Sequence, residues 1–159
     1  MTQTANFIEQ LKTLLGPAGY LDAPSDLEPF TRDWRGRVGA TPFAALPRST
    51  EEVAKIVALA NEANVPLVTQ GGHTGLVKGA LPQNEIILST QRLDKIRETN
   101  PASDFIVAEA GVILTRVQEA AQDADRLFPL SLASEASATI GGLVSTNAGG
   151  VAVLRYGMM

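Results

Sequence analysis

Residues 65–76 read VPLVTQGGHTGL, an apolar run that breaks into Gly71-Gly72-His73-Thr74-Gly75. Val65 to Thr69 is β-branched and short, which predicts a strand. Paired glycines directly after a strand permit positive φ and let a ligand approach the backbone closely. Consecutive N–H groups in such a loop form an anion-binding concavity, to which the Thr74 hydroxyl and Gln70 amide could add donors. The ligand this suits is a pyrophosphate. Upstream, Phe43–Leu46 predicts a short strand ended by Pro47. Ser49 and Glu52 form a capping box, with Thr50 as a rival cap. Val53, Ile56, Val57, Ala60 and Ala63 then give one apolar helical face, and Asn64 breaks the helix. Strand, helix and strand make a βαβ unit, which crosses over right-handed. With Ile86–Leu88 as a third strand, a small parallel sheet is expected.

Working outward, Phe7, Ile8, Leu11, Leu14 and Leu15 recur at helical spacing, and Gly16-Pro17 stops that helix. Residues 17–42 read as irregular surface chain; Trp34 there is either an exposed binding residue or, the commoner case, an anchor of a loop onto the domain. Beyond the sheet, Phe105–Glu109 predicts a strand ended by Gly111. Leu114, Val117, Ala120 and Ala121 predict a helix of about three turns. The best boundary lies at Asn100-Pro101. The organisation expected is a lead-in over 1–42, a first subdomain over 43–99 and a second over 100–159.

A second glycine-rich segment, Thr139-Ile140-Gly141-Gly142-Leu143-Val144-Ser145-Thr146-Asn147-Ala148-Gly149-Gly150, lies near the end of the sequence. A helix starting near Ile140 would aim free N–H groups at an anion. Gly141 and Gly142 would leave room for it, Ser145, Thr146 and Asn147 would supply donors, and Gly149-Gly150 would make a tight turn. Alone, a Gly-Gly pair is more often only a turn, and a small-residue helix more often a packing face. Their order behind a βαβ unit is what makes the pair specific. Neither the GxGxxG nor the GxxxxGK[ST] pattern occurs, which disfavours a nicotinamide domain and a P-loop.

Composition narrows the function classes. Of 159 residues, 45% are hydrophobic and 19% charged, which suits a soluble globular chain. A net charge of −4 argues against nucleic acid. There is no Cys and one His, so thiolate chemistry and a two-His metal site are both excluded within these residues. No apolar run reaches membrane-span length, and the opening lacks a basic n-region, so a cytoplasmic location is expected.

The motifs PRSTEEVAKIV, VPLVTQGGHTGLVKGALP, IILSTQRLDKI, VAEAGV, FPLSLASEASATIGGLVSTNAGG and LRYG together resemble the N-terminal FAD-binding domain of the vanillyl-alcohol-oxidase-type flavoproteins. Within these, the D-2-hydroxyglutarate, D-lactate and glycolate dehydrogenase branch is the most similar. The resemblance runs from about residue 43 onward. It implies an α+β fold of the PCMH type: a small parallel βαβ subdomain, then the start of an antiparallel-sheet subdomain, with FAD extended between them. By motif, Gln70, Gly71, Gly72, His73, Thr74 and Gly75 would wrap the pyrophosphate, with Gly79 in the same loop. Pro129 and Leu130 would lie beside the flavin or its ribityl chain. Ala136, Ser137, Gly141, Gly142, Ser145, Thr146 and Gly150 would line the other side. His73 stands where Asn is common, Lys78 where Gly is usual, and Glu135-Ala136 where Lys-Gly is usual.

The activity implied is oxidation of a small D-2-hydroxy acid by hydride transfer to flavin, with electrons passing to a protein or quinone acceptor. The metal-binding histidines, substrate-binding arginines and catalytic base of the family would lie beyond Met159, so no catalytic or metal residue is assigned. Non-covalent FAD is expected, although some oxidases of the superfamily link flavin covalently through a His in a similar Gly-Gly-His loop. A homodimer is compatible with the resemblance. The rivals are an alcohol or amine oxidase of the same superfamily and, from another class, a non-catalytic phosphate- or nucleotide-binding module.

Overall fold

The computed structural model describes residues 3–159 and divides the chain into two compact units, one up to Arg92 and one from Leu93 to Met159. The division falls before the expected Asn100-Pro101 boundary. The reason is a strand that the sequence conceals: β5 (Ile96–Asn100) pairs antiparallel with β6 (Phe105–Ala108), so residues on both sides of Asn100-Pro101 belong to one hairpin. The stretch IRETN carries no apolar alternation, and its central residues are exposed.

In the first unit, α1 (Gln3–Leu15) turns its Phe7 and Leu11 fully inward and ends at Gly16, whose φ of 67° and N–H to the Lys12 carbonyl cap it. Residues 17–42 are not irregular: they hold β1 (Tyr20–Leu21) and α2 (Pro24–Thr31). Pro24 sits where a helix tolerates it, and Leu27 and Phe30 bury that helix against Ala44 and Ile87. The expected strands are present as β2 (Ala44–Ala45), β3 (Leu67–Gln70) and β4 (Ile86–Ser89). The sheet order is β1-β2-β4-β3. Both β2 and β3 run parallel to β4, while β1 adds an antiparallel edge.

Helix α3 (Thr50–Glu62) links β2 to β3. Ser49 caps it by accepting from the Glu52 N–H, and the Glu52 carboxylate reaches back to the Arg48 N–H. Ile56 and Ala60 face the core with Phe7, Leu11, Phe43 and Ile86, whereas Val57, expected on that face, is half exposed. β3 runs beside this core and ends at the buried Gln70, from which the glycine loop leaves.

In the second unit, α4 (Leu114–Asp123) is the expected three-turn helix. It is followed by α5 (Ile140–Ser145) and α6 (Val153–Tyr156). Leu114, Leu130, Ala138 and Leu143 form its core. Glu109, at the end of β6, is buried and bonded to Arg97 Nε at 3.1 Å and Nη2 at 2.8 Å, with its other oxygen on the Lys95 N–H at 3.1 Å. Arg97 and the Lys95 N–H outweigh desolvation and hold this carboxyl below its ordinary 4.5. A carboxyl lowered on folding stabilises above its unfolded pKa, and that stability is lost as pH falls through the folded value. Acid unfolding of this unit should therefore set in below about pH 4.5. Glu109→Gln should be less stable at pH 7 and lose stability less steeply on acidification, as read by urea titrations from pH 7 to 3. Parallel curves for the two proteins would refute this.

Candidate functional site

Two glycine-rich segments were assigned to a ligand from sequence, one in each unit. In the first unit the loop leaves β3 at Gln70 and returns through a 3-10 turn at Lys78–Ala80. Among the described residues, no backbone N–H from Gly71 to Val77 donates to a protein acceptor. Gly71, Gly72, His73 and Thr74 are half-buried, and Gly75, Leu76 and Val77 are exposed. Gly75 and Gly79 have positions beside them that a Cβ would enter without a close clash, and both have ordinary φ. Neither packing within the chain nor backbone strain accounts for these two glycines. The left-handed position recorded in the loop is not a glycine but His73, at φ 54°. Asn is among the few non-glycine residues at ease there, which is a physical reason for Asn to be common at this place.

Gln70 has a different part from the one expected. It is 2% exposed, and its Nε2 donates to Phe30 O at 2.7 Å and Ala80 O at 2.6 Å. Its amide protons therefore brace the loop from beneath. Two residues brace it from outside: Trp34 Nε1 donates to Gly75 O, and Arg37 Nη2, which sequence reasoning missed, donates to Leu76 O. Trp34 does anchor a loop, as expected, and the loop is the glycine one. The hint available in the sequence was an Asp-Trp-Arg-Gly-Arg cluster with no core pattern of its own.

In the second unit α5 begins where expected, but its first N–H groups are not free. Ile140 donates to Val112 O at 2.9 Å and Gly141 to Ala110 O at 2.8 Å. Gly141 is needed for packing, because a Cβ there would lie 2.8 Å from the Ala110 Cβ and 3.0 Å from its carbonyl oxygen. Gly150 likewise lets the chain pass the Ser131 backbone. The Ser145 and Thr146 hydroxyls, expected as donors, give their protons to Gly141 O at 2.7 Å and Gly142 O at 2.8 Å.

What remains open is Gly142. It is exposed, its N–H has no acceptor among the described residues, and a Cβ there would meet only Thr139 Oγ1, at 3.6 Å. Thr139, which the sequence reading did not single out, is buried, caps nothing, and its Oγ1 has no hydrogen-bond partner. A buried hydroxyl is ordinarily paired, and this one is an exception among the described residues. Pro129, Leu130 and Gly150 meet in a cavity of about 180 Å3, although the Leu130 side chain belongs to the core. Ala136 and Ser137 are exposed in the preceding turn. A larger apolar cavity, about 660 Å3, lies between the β5–β6 hairpin and α4, and none of the sequence-assigned residues lines it.

The family description "FAD binding domain" matches residues 41–159. The chain belongs to this family of FAD-binding domains. The FAD-binding domain is 43% identical over 136 residues to D-2-hydroxyglutarate dehydrogenase of Xanthomonas citri pv. viticola, covering 84% of the chain and 29% of that relative. It is 38% identical over 160 residues to D-2-hydroxyglutarate dehydrogenase of Stutzerimonas stutzeri, covering 99% and 34%. The mitochondrial D-2-hydroxyglutarate dehydrogenase of Bos taurus is 38% identical over 145 residues, covering 90% and 27%. The FAD-binding domain thus spans about a third or less of the length of these relatives.

Among solved structures, an alkyldihydroxyacetonephosphate synthase superposes with a TM-score of 0.87 at 20% identity, over 97% of this chain and 34% of that one. p-Cresol methylhydroxylase gives 0.76 at 22% identity, over 92% and 30%. These two confirm the expected α+β, PCMH-type fold. In the first unit, the unpaired N–H run at 71–77 and the open glycines 75 and 79 are features that a phosphate-bearing cofactor such as FAD fits; in the second unit, the open Gly142 is another such feature. Among the described residues, no helix is long and apolar enough to cross a membrane.

Proposed function

We propose that this domain serves an FAD-dependent dehydrogenase of small D-2-hydroxy acids, with D-2-hydroxyglutarate the first substrate to try and D-lactate and glycolate next. The observation that carries the cofactor half is the run of unbonded N–H groups from Gly71 to Val77. The substrate half rests on the likeness to the D-2-hydroxyglutarate dehydrogenases. Bound FAD would supply the acceptor for the C2 hydrogen, removed as hydride while a base takes the hydroxyl proton. In this reading the loop 71–77 binds pyrophosphate oxygens, Thr74 adds a hydroxyl, and Gly142 with Thr139 offers a second polar contact. Pro129, Leu130, Ala136, Ser137 and Gly150 line the rest. A protein or quinone acceptor, a homodimer and a cytoplasmic location belong to the same proposal. So does non-covalent attachment, in which His73 orders the loop and contacts the cofactor through one ring nitrogen.

The test is a purified, yellow, full-length protein mixed anaerobically with each D-2-hydroxy acid. Bleaching of the flavin band by D-2-hydroxyglutarate, with slow reoxidation in air, is expected. Bleaching only by an alcohol or amine with rapid oxygen consumption would favour an oxidase, and no flavin at all would favour a nucleotide-binding module. On acid denaturation and gel filtration the flavin should leave the polypeptide. Flavin that stays, and is lost in His73→Asn, would show a covalent link instead.

A further inference from the structure

The turn from Asp33 to Arg37 is built more rigidly than a surface loop requires. Asp33 is 6% exposed. Its Oδ1 accepts from the Arg35 N–H at 3.0 Å and the Arg37 N–H at 2.8 Å, and its Oδ2 pairs with Arg37 Nε. Burial alone would raise this carboxyl, but the Arg37 N–H and guanidinium and the Arg35 N–H together hold it below its ordinary 3.8. Gly36, at φ 77°, closes the turn with its N–H on Asp33 O, and a bridge between Arg32 and Val38 flanks it. What this turn holds out is Trp34, 60% exposed, with the Arg35 guanidinium 4.9 Å above its ring. An exposed indole is not there for burial. Its Nε1 reaches Gly75 O at 3.1 Å, and the fixed Arg37 reaches Leu76 O at 3.3 Å.

In a trans peptide the carbonyl and the following N–H point in opposite directions. Drawing the Gly75 and Leu76 carbonyls toward Trp34 and Arg37 therefore turns the Leu76 and Val77 N–H groups to the opposite side. Neither of those N–H groups has a protein acceptor among the described residues. We propose that Asp33, Trp34 and Arg37 are positioning residues. They clamp two successive peptides of the glycine loop so that the Leu76 and Val77 N–H groups face an anion. Gln70 fixes the end of the loop at Ala80, and the clamp fixes its middle. The role rests on the loop being the pyrophosphate site.

Trp34→Phe keeps the ring and removes the donor. Arg37→Gln removes the charged fork, and Arg37→Lys serves if the glutamine variant does not fold. Backbone 15N order parameters of the flavin-free chain are read first. In Trp34→Phe, values at 74–77 should fall from about 0.85 to below about 0.6, with β3 and β4 unchanged. FAD titration of the full-length protein should then show affinity weakened about five- to tenfold, the effect of losing one hydrogen bond. A general structural role would instead loosen the whole first unit. Unchanged loop order and unchanged FAD affinity in both Trp34→Phe and the arginine variant would overturn the clamp. If the parent protein takes up no FAD, the functional reading fails, and the order parameters alone decide the clamp.

Discussion

Valine at position 142 is expected to abolish flavin retention and leave the fold standing. The side chain at 142 would emerge into open space, its nearest neighbour the Thr139 hydroxyl at 3.6 Å. Replacing Gly within a helix is close to neutral or favourable for the backbone, so stability should stay within about 0.5 kcal/mol. The isopropyl group would cover the free Gly142 N–H, and affinity for FAD should fall on the order of 100-fold or more, about 2.7 kcal/mol. Gly72→Val, in the first unit, should also cost flavin retention. Gly141→Ala is the control of opposite kind. Its methyl would press into Ala110, so overpacking of about 1–3 kcal/mol should appear as lost stability. Flavin absorbance per protein and a urea curve for each variant separate the two effects. Full flavin content in Gly142→Val would remove that residue from the site.

The second large effect is expected at Gln70. Glutamate there keeps the shape and replaces an NH2 that serves two carbonyls at 2.6–2.7 Å with an oxygen that repels them. The position is 2% exposed, so the charge has no water to fall back on. The cost should reach several kcal/mol at pH 7, larger than the roughly 2–4 kcal/mol expected of Gln70→Ala, which only leaves the two carbonyls without their donor. The new carboxyl would have a raised folded pKa, so its penalty should shrink as pH falls, when the protonated group regains one O–H to donate. Equal stability of Gln70→Glu and Gln70→Ala across pH 5–8 would contradict this account of the brace.

Outside residues 17–42, the first unit was readable from its sequence because its signals are local. The Ser49–Glu52 cap, the spacing of Ile56 and Ala60, and the breaks at Gly16 and Asn64 each act within one or two turns of chain. β5 was not readable, because its charged residues pair through the backbone with β6 and leave no alternation. α2 was hidden by two prolines and a charge-rich stretch, although Pro24 at its first turn is compatible with a helix. At the site, residue type pointed to the right loops but not to the atoms. Gln70, Ser145 and Thr146 have donors, and only the fold shows that protein carbonyls already occupy them. Thr139 is the reverse case, a hydroxyl beside a helix start that looks like a cap and is left without a partner.

The break between Arg92 and Leu93 has a bearing on biosynthesis. Every strand of the four-stranded sheet, and every helix packed on its main core, is encoded before Leu93. A nascent chain can therefore close that core while the second unit is still inside the ribosome, as N-terminal domains generally do. The glycine loop, braced by Gln70 from within the same stretch, is shaped at that moment. The hairpin and α4 emerge next and bury their own apolar residues without competing for a half-built sheet. Vectorial synthesis thus lets the four-stranded sheet draw on its own residues alone.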